Sequence, residues 1–246
     1  GDSQSGGFWP AELKFAGFDA VIITGKSPKP VYLWIHDGQA ELRDAGHLWG
    51  RHTGDAERII KEELQDNKIK IVQIGPAGEK MVRFAAIISN CNRANGRTGM
   101  GAVMGSKNLK AVAVRGSHKP TVADPDAFKA LVKQGAKDFP KSMVAGMGKF
   151  GTSAAVGGQQ AVGGLPGYNF NSGVFDGWEA IDGETLYNTL LAGCTEGQQD
   201  RKGRDTCYGC IVRCKRVAEF RQGPYSADPL YGGPEYESIA GLGSYC

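Results

Sequence analysis

No run of apolar residues in this chain approaches the roughly 20 that a helix needs to cross a bilayer, so no membrane insertion is expected. Charge of one sign is missing as well. The formal net charge is +3, with acids and bases interspersed, and there is no basic stripe to suggest a nucleic-acid partner. The opening GDSQSGGFWP lacks the basic and apolar regions of an export signal, which predicts a reduced, cytoplasmic setting. Histidine is scarce: His36, His47, His52 and His118 all stand in the first half, so there is no H-x3-H pair and no second C-x2-C to complete a structural zinc site. Tandem repeats and low-complexity tracts are absent too.

What is present is ordinary except for glycine. Apolar residues make up 41% and charged residues 22% of 246 positions, the balance of a globular protein with room for one large or two ordinary domains. Glycine, at 37 residues, runs at about twice its usual level. The glycines cluster without a period, as where a chain turns tightly or lets backbone approach a ligand.

The first part reads as strands with one helix. DAVIITG (19–25), PVYLWIHDG (30–38), KIKIVQIG (68–75), VRFAAIIS (82–89) and LKAVAVRG (109–116) are rich in β-branched and aromatic residues and bounded by turn formers. Residues 54–67 carry Ile59, Ile60 and Leu64 on one helical face. Beyond a Pro-containing linker, 119–139 has helical periodicity, 145–167 reads as a glycine-rich loop, and 183–193 as a short helix. The fold class expected is α+β: a β-rich domain over 1–118, then a mainly helical domain over 119–246 that carries the clustered cysteines.

Those cysteines form the sharpest motif. In TCYGCIVRCKR, Cys207, Cys210 and Cys214 stand at C-x2-C-x3-C, while Cys91, Cys194 and Cys246 are scattered. A C-x2-C turn brings two sulfurs together, and a third cysteine four residues on can sit one helical turn away. The spacing predicts three of the four ligands of an iron–sulfur cluster, the fourth being Cys246 or a residue beyond the chain. A thioredoxin-like redox pair is the rival, though no βαβ pattern surrounds it, and three unliganded cysteines are the plain alternative. The basic neighbours Arg213, Lys215 and Arg216 are expected to favour thiolates.

Two glycine-rich stretches are candidate anion sites. One is the Gly6-Gly7 turn of DSQSGGFWP. The other is NRANGRTGMGAVMGSKNLKAV (92–112), where four glycines stand near Arg93 and Arg97, and arginine can fork onto phosphate oxygens. Hairpin or turn glycines serve equally well as a reading. GRTGMG does not sit in a βαβ unit with a following acid, which argues against a dinucleotide fingerprint.

Taken in order, SGGFWPAELKFAGFDAVIITGKSPKPVYLWI, ELRDAGHLWG, IGPAGEKMVRFAAII, NRANGRTGMGAVMGSKNLKAVAV, CYGCIVRCKR and GGPEYESIAGLGS resemble the tungsten-containing aldehyde:ferredoxin oxidoreductases over nearly the whole chain. The resemblance implies a tungsten bis-pterin cofactor between a β-rich first domain and two later helical domains, with a [4Fe-4S] cluster beside one pterin. It implies that Cys207, Cys210 and Cys214 are three cluster ligands. The family's fourth lies far downstream, which leaves Cys246 unassigned. Arg93, Ala94 and Gly96, with Arg97, match the loop meeting the pterin phosphates and their bridging Mg2+. Gln4, Ser5, Gly6 and Gly7 match the other pterin loop, where well-known members have Asn in place of Gln4. Glu237 matches a carboxylate near the metal, suited to proton transfer where burial raises its pKa.

The activity implied is oxidation of an aldehyde to a carboxylic acid, electrons leaving through the cluster to ferredoxin or an iron–sulfur partner subunit, in a homo- or hetero-oligomer. Alternatives are the tungsten subunit of a benzoyl-CoA reductase complex, and a non-catalytic iron–sulfur electron-transfer module. The family's chains begin before GDSQSGG and continue past GLGSYC, so the resemblance implies a portion of a longer subunit or a shortened relative.

Overall fold

Asp37 and Gly38 both have positive φ and reverse the chain between β1 (Val31–His36) and β2 (Gln39–Asp44), with His36 opposite Gln39 across a two-residue hairpin. This computed structural model describes residues 1–195, 198–199, 203–221 and 223–245. It divides into two units, Gly1–Ala123 and Asp124–Cys246.

The first unit is built on a six-stranded sheet with β3 (Lys70–Gln73), β4 (Ile87–Ser89), β5 (Arg93–Asn95) and β6 (Leu109–Arg115). The strand order is β2-β1-β6-β3-β4-β5, and only β1 and β6 run parallel. β6 is central and buried along nearly its whole length, as a strand covered on both faces must be. On one face Val31, Ile35, Val112 and Val114 pack with Leu13 of α1 (Trp9–Phe15), with Ala16 that caps it, and with Met104. On the other, Tyr32, Trp34, Ala111 and Ala113 meet Ala56 and Ile60 of α2 (Thr53–Glu63). The alternation along β6, with valines to one side and alanines to the other, leaves room for α2. Ile60 is fully buried, with Ile59 and Leu64 partly buried beside it, so its truncation to Ala costs about 2–5 kcal/mol.

Two short helices, α3 (Pro76–Glu79) and α4 (Met100–Ser106), pack backbone to backbone. A β-carbon on Gly105 would lie 1.9 Å from the Gly78 carbonyl oxygen, and one on Gly101 would lie 2.6 Å from that of Ala86. Beneath them Lys110, fully buried in β6, donates from Nζ to the Arg51 carbonyl at 2.9 Å and pairs with Glu79, whose other oxygen accepts from Gly50 N at 2.8 Å. Burial pulls the Lys110 pKa down against the pull of Glu79.

The second unit opens with α5 (Pro125–Asp138), capped by Asp124, whose carboxylate accepts from Asp126 N and Ala127 N. Then come α6 (Met147–Phe150), a 3-10 turn (Gly151–Ala154), α7 (Ala155–Ala161) and α8 (Gly183–Thr189). A two-residue strand pair, β7 (Cys194–Thr195) with β8 (Gln198–Gln199), precedes another of β9 (Arg204–Asp205) and β10 (Lys215–Arg216). The unit closes with α9 (Tyr236–Ile239) and a π-helical turn (Ala240–Ser244).

Several sequence expectations are corrected here. The segment 19–25 forms no strand, and Ile22 is 89% exposed, because β-propensity needs a neighbouring strand to act on. Only the last part of 82–89 is strand, and β2, β5 and the short helices α1, α3 and α4 were not expected. The stretch 145–167 is largely helical, not a loop. Its glycines serve packing there, Gly157 letting the Trp178 ring approach α7.

Candidate functional site

In the first unit the N-terminal segment lies along the β4–β5 hairpin. Asn90, Cys91 and Asn92 form the hairpin's turn, the first two with positive φ, and set Ser89 opposite Arg93. Phe8 N donates to Asn90 Oδ1 at 3.1 Å, Arg97 N to Ser3 Oγ at 3.2 Å, and Thr98 Oγ1 to the Asp2 carbonyl at 2.8 Å. Gly7 sits at φ +92°, and a β-carbon there would come within 2.5 Å of Asn90 Oδ1 and 3.1 Å of Arg93 Cδ. The structure therefore brings Gln4–Gly7 and Arg93–Arg97, two segments far apart in sequence, into one wall. Arg93 Nη1 donates to Asn92 Oδ1 at 2.7 Å, which fixes the fork of this half-buried arginine.

The four glycines of NRANGRTGMGAVMG divide by role. Gly99, at φ +68°, abuts the Arg83 carbonyl, Gly101 abuts the Ala85 and Ala86 carbonyls, and Gly105 makes the close α3–α4 approach, so these three serve the fold. Gly96 meets nothing within 4 Å and lies exposed between Ala94 and Arg97, also exposed. Beside it, Ser5 Oγ and Asn95 Oδ1 are buried without hydrogen-bond partners. The Ser5 hydroxyl, open backbone and two arginines on one wall fit an oxyanion-bearing group such as a pterin phosphate, while Asn95 Oδ1, an acceptor, calls for a donor instead. Gln4 is exposed on the same wall.

In the second unit Cys207, Cys210 and Cys214 occupy one loop, closed at its base by the β9–β10 pair with Asp205 opposite Lys215. Cys210 N donates to the Cys207 carbonyl at 3.1 Å, and Thr206 Oγ1 to that of Cys210 at 2.7 Å. Gly209 and Arg213 take left-handed conformations, so the third cysteine arrives by a turn rather than by the helical turn expected. Among the described residues no three of His, Cys, Asp or Glu gather as a single metal ion needs. An all-thiol donor set on one loop suits thiophilic metal centres, an iron–sulfur group among them. Cys246 lies outside the described residues.

The basic neighbours do not activate Cys214. Burial pushes its thiol pKa up, and the Glu235 carboxylate and the other two cysteines add to the rise. Lys215 Nζ instead pairs with Glu235 at 2.9 Å, and Arg216 turns inward. Glu235 also accepts from Thr152 Oγ1, whose oxygen accepts from Tyr236 N at 3.1 Å, so the cysteine hairpin is tied to the start of α9. Glu237, in the first turn of α9, is exposed, and this unit does not supply the burial expected of it. Alongside, an apolar groove of about 300 Å³ is lined by Ile181, Leu186, Leu190, Pro234, Ile239 and Leu242. Asn90, Ser3, Asn95 and Glu235 were missed from sequence. Only Asn90 carried a signal, as an Asn ending a strand pattern where a left-handed turn is tolerated.

Residues 1–116 match the aldehyde ferredoxin oxidoreductase N-terminal domain, and 130–246 match domains 2 and 3 of aldehyde ferredoxin oxidoreductase. The chain is 42% identical over 247 aligned residues to the tungsten-containing aldehyde ferredoxin oxidoreductase of Thermococcus kodakarensis, covering 98% of this chain and 38% of that protein. It is 35% identical to the aliphatic sulfonate oxidoreductase WOR-like subunit of Pyrococcus furiosus, over 95% of this chain and 38% of that one. Among solved structures, the active-site complex of a benzoyl-coenzyme A reductase with 1,5-dienoyl-CoA superposes with a TM-score of 0.66 and 30% identity, over 89% of this chain and 34% of that one. The chain thus spans 38% of the length of these curated relatives. With both of its units matched in order, the chain belongs to the aldehyde ferredoxin oxidoreductase family.

Proposed function

We propose that the protein containing this chain oxidises aldehydes to carboxylic acids with a tungsten bis-pterin cofactor, passing electrons through a [4Fe-4S] cluster to ferredoxin or an iron–sulfur partner subunit. The observation that carries the reading is the wall formed by Gln4–Gly7 against Arg93–Arg97, with Gly96 open and the Ser5 hydroxyl unpartnered. Identity of 42% to an enzyme named for aldehyde and ferredoxin supports the choice of reaction.

When bound, the tungsten bis-pterin supplies the two-electron oxidation, and the cluster divides it into single-electron exits. The chain's own residues bind and orient. Arg93 and Arg97 would offer charge-assisted donors to the pterin phosphates, and Ser5 its hydroxyl. Gln4 would line the pterin from the position where well-known members of the family have Asn. Cys207, Cys210 and Cys214 supply three thiolates, and the fourth ligand comes from beyond the described residues. Glu237, the family's carboxylate near the metal, would hold or move a proton at its carboxylate.

The likeness to a benzoyl-coenzyme A reductase complex favours a second reading, in which the same site serves aromatic-ring reduction. Analysis of W, Mo and Fe in the anaerobically purified full-length protein, followed by an aldehyde panel with a viologen acceptor, tests both. About one tungsten and about four irons per subunit with aldehyde-dependent reduction is the expected result. The same metals with activity on an aromatic acyl-CoA alone would favour the second reading. Iron without tungsten or molybdenum would leave an electron-transfer module.

A further inference from the structure

Arg216 is buried to 1% exposure at the end of β10, two residues after Cys214. Its Nη1 donates to the carbonyls of Gly148 at 3.1 Å and Lys149 at 2.6 Å, and its Nη2 grips the carbonyl of Arg213, the residue held at φ +54° that delivers Cys214. Its Nε is buried without a partner. Gly151 keeps this arrangement tight, since a β-carbon there would lie 2.7 Å from the Cys214 carbonyl oxygen and 2.9 Å from Arg216 Cγ. Besides its burial, the charged groups that act on the guanidinium include Arg204, Cys214 and Glu235, and Glu235 is itself paired with Lys215 at 2.9 Å. A buried arginine that holds only carbonyls keeps its whole positive charge, an arrangement that is costly unless an anion stands close by. The hairpin loop against which it is packed carries the three thiols.

Resting on the cluster reading above, we infer that Arg216 is a positioning residue for the iron–sulfur group. Its grip on Arg213 sets Cys214, and its unneutralised charge stabilises the reduced cluster, which carries one more negative charge than the oxidised form. The arginine therefore holds the cluster at a higher reduction potential than the thiolates alone would give, easing entry of one electron from the substrate oxidation. Sequence alone expects Arg213, Lys215 and Arg216 together to favour thiolates and a negatively charged cluster. The burial and the carbonyl contacts single out Arg216 among the three.

The test uses the full-length protein purified anaerobically, with Arg216→Lys, Arg216→Gln and Arg216→Met. Iron per subunit is measured first, then the cluster midpoint by a dithionite titration followed by electron paramagnetic resonance. The neutral variants are expected to lower the reduced-to-oxidised ratio about tenfold at the wild-type midpoint, a negative shift of about 59 mV for one electron, while Arg216→Lys stays near wild type. Loss of iron from Gln and Met but not Lys also supports the charge role. An unchanged midpoint in an iron-loaded neutral variant overturns it, as does loss of iron from all three, which would leave the grip alone. A wild-type protein without iron would sink the cluster reading itself, an outcome distinct from either.

Discussion

Gly7 and Asn90 determine each other. The Asn90 amide oxygen accepts the Phe8 N–H at 3.1 Å, and it can do so only because residue 7 has no β-carbon, which would stand 2.5 Å from that oxygen. The turn of the β4–β5 hairpin and the N-terminal loop are thereby locked, with Arg93 between them.

Gly7→Ala is expected to destabilise the first unit by about 1–2 kcal/mol through the left-handed backbone and by about 1 kcal/mol more through the displaced hydrogen bond. Gly17, at φ +91° with nothing within 4 Å, isolates the first contribution. Thermal unfolding of the two alanine variants should show Gly7→Ala the less stable, together with reduced tungsten per subunit. Equal midpoints with full metal content would mean the Asn90 contact is unimportant.

The glycines of the second loop should separate cleanly. Gly105→Ala drives a methyl into the Gly78 carbonyl and is expected to cost about 1–3 kcal/mol or more. Gly96→Ala, in open space, should leave stability within about 0.5 kcal/mol and act only on cofactor retention. Denaturant unfolding against tungsten content reads both, and a destabilised Gly96→Ala protein would contradict the division of roles.

Acid should unfold the first unit through identifiable carboxylates. Hydrogen bonds from Ser117 N at 2.8 Å and Ser117 Oγ at 3.0 Å hold Asp37 below its usual pKa, and Lys29 with Gly46 N does the same for Asp44. A depressed carboxylate contributes stability above its unfolded pKa, near 3.9, which is lost as pH falls through that value toward the folded one. Melting temperatures measured from about pH 6 down to about pH 2.5 should fall less steeply for Asp37→Asn than for wild type.

Thiol reactivity ought to rank with burial. Cys91 is 5% exposed, its Sγ donates to Glu57 Oε2 at 3.1 Å, and burial together with that carboxylate drives its pKa far up. Cys210 is exposed. Alkylation of metal-free protein at neutral pH, mapped by mass spectrometry, should label Cys210 first and Cys91 only on unfolding. Iron loading should then protect Cys207, Cys210 and Cys214 together, and labelling of Cys210 at the metal-free rate in iron-loaded protein would count against the cluster.

Much of this protein is set by local pattern. The alternating β-branched residues of β1 and β6, the Ile59, Ile60 and Leu64 face of α2, the Asp37-Gly38 turn and the Asp124 cap are written in neighbouring residues, because strand, helix and turn preferences act over a few positions. The C-x2-C-x3-C spacing likewise puts three thiols on one loop wherever that loop folds. Tertiary structure decided what depends on distant partners. It left the strand-like 19–25 without a neighbour, and it buried Lys110 against Glu79 in a strand that otherwise reads as apolar. It also turned Arg216 beneath the cysteine loop, and it assigned Gly101 and Gly105 to backbone packing while leaving Gly96 open. A glycine or a buried charge has the same letter in either role. What distinguishes the roles is the atom that arrives from elsewhere in the chain, and burial and steric exclusion exist only once that atom is in place.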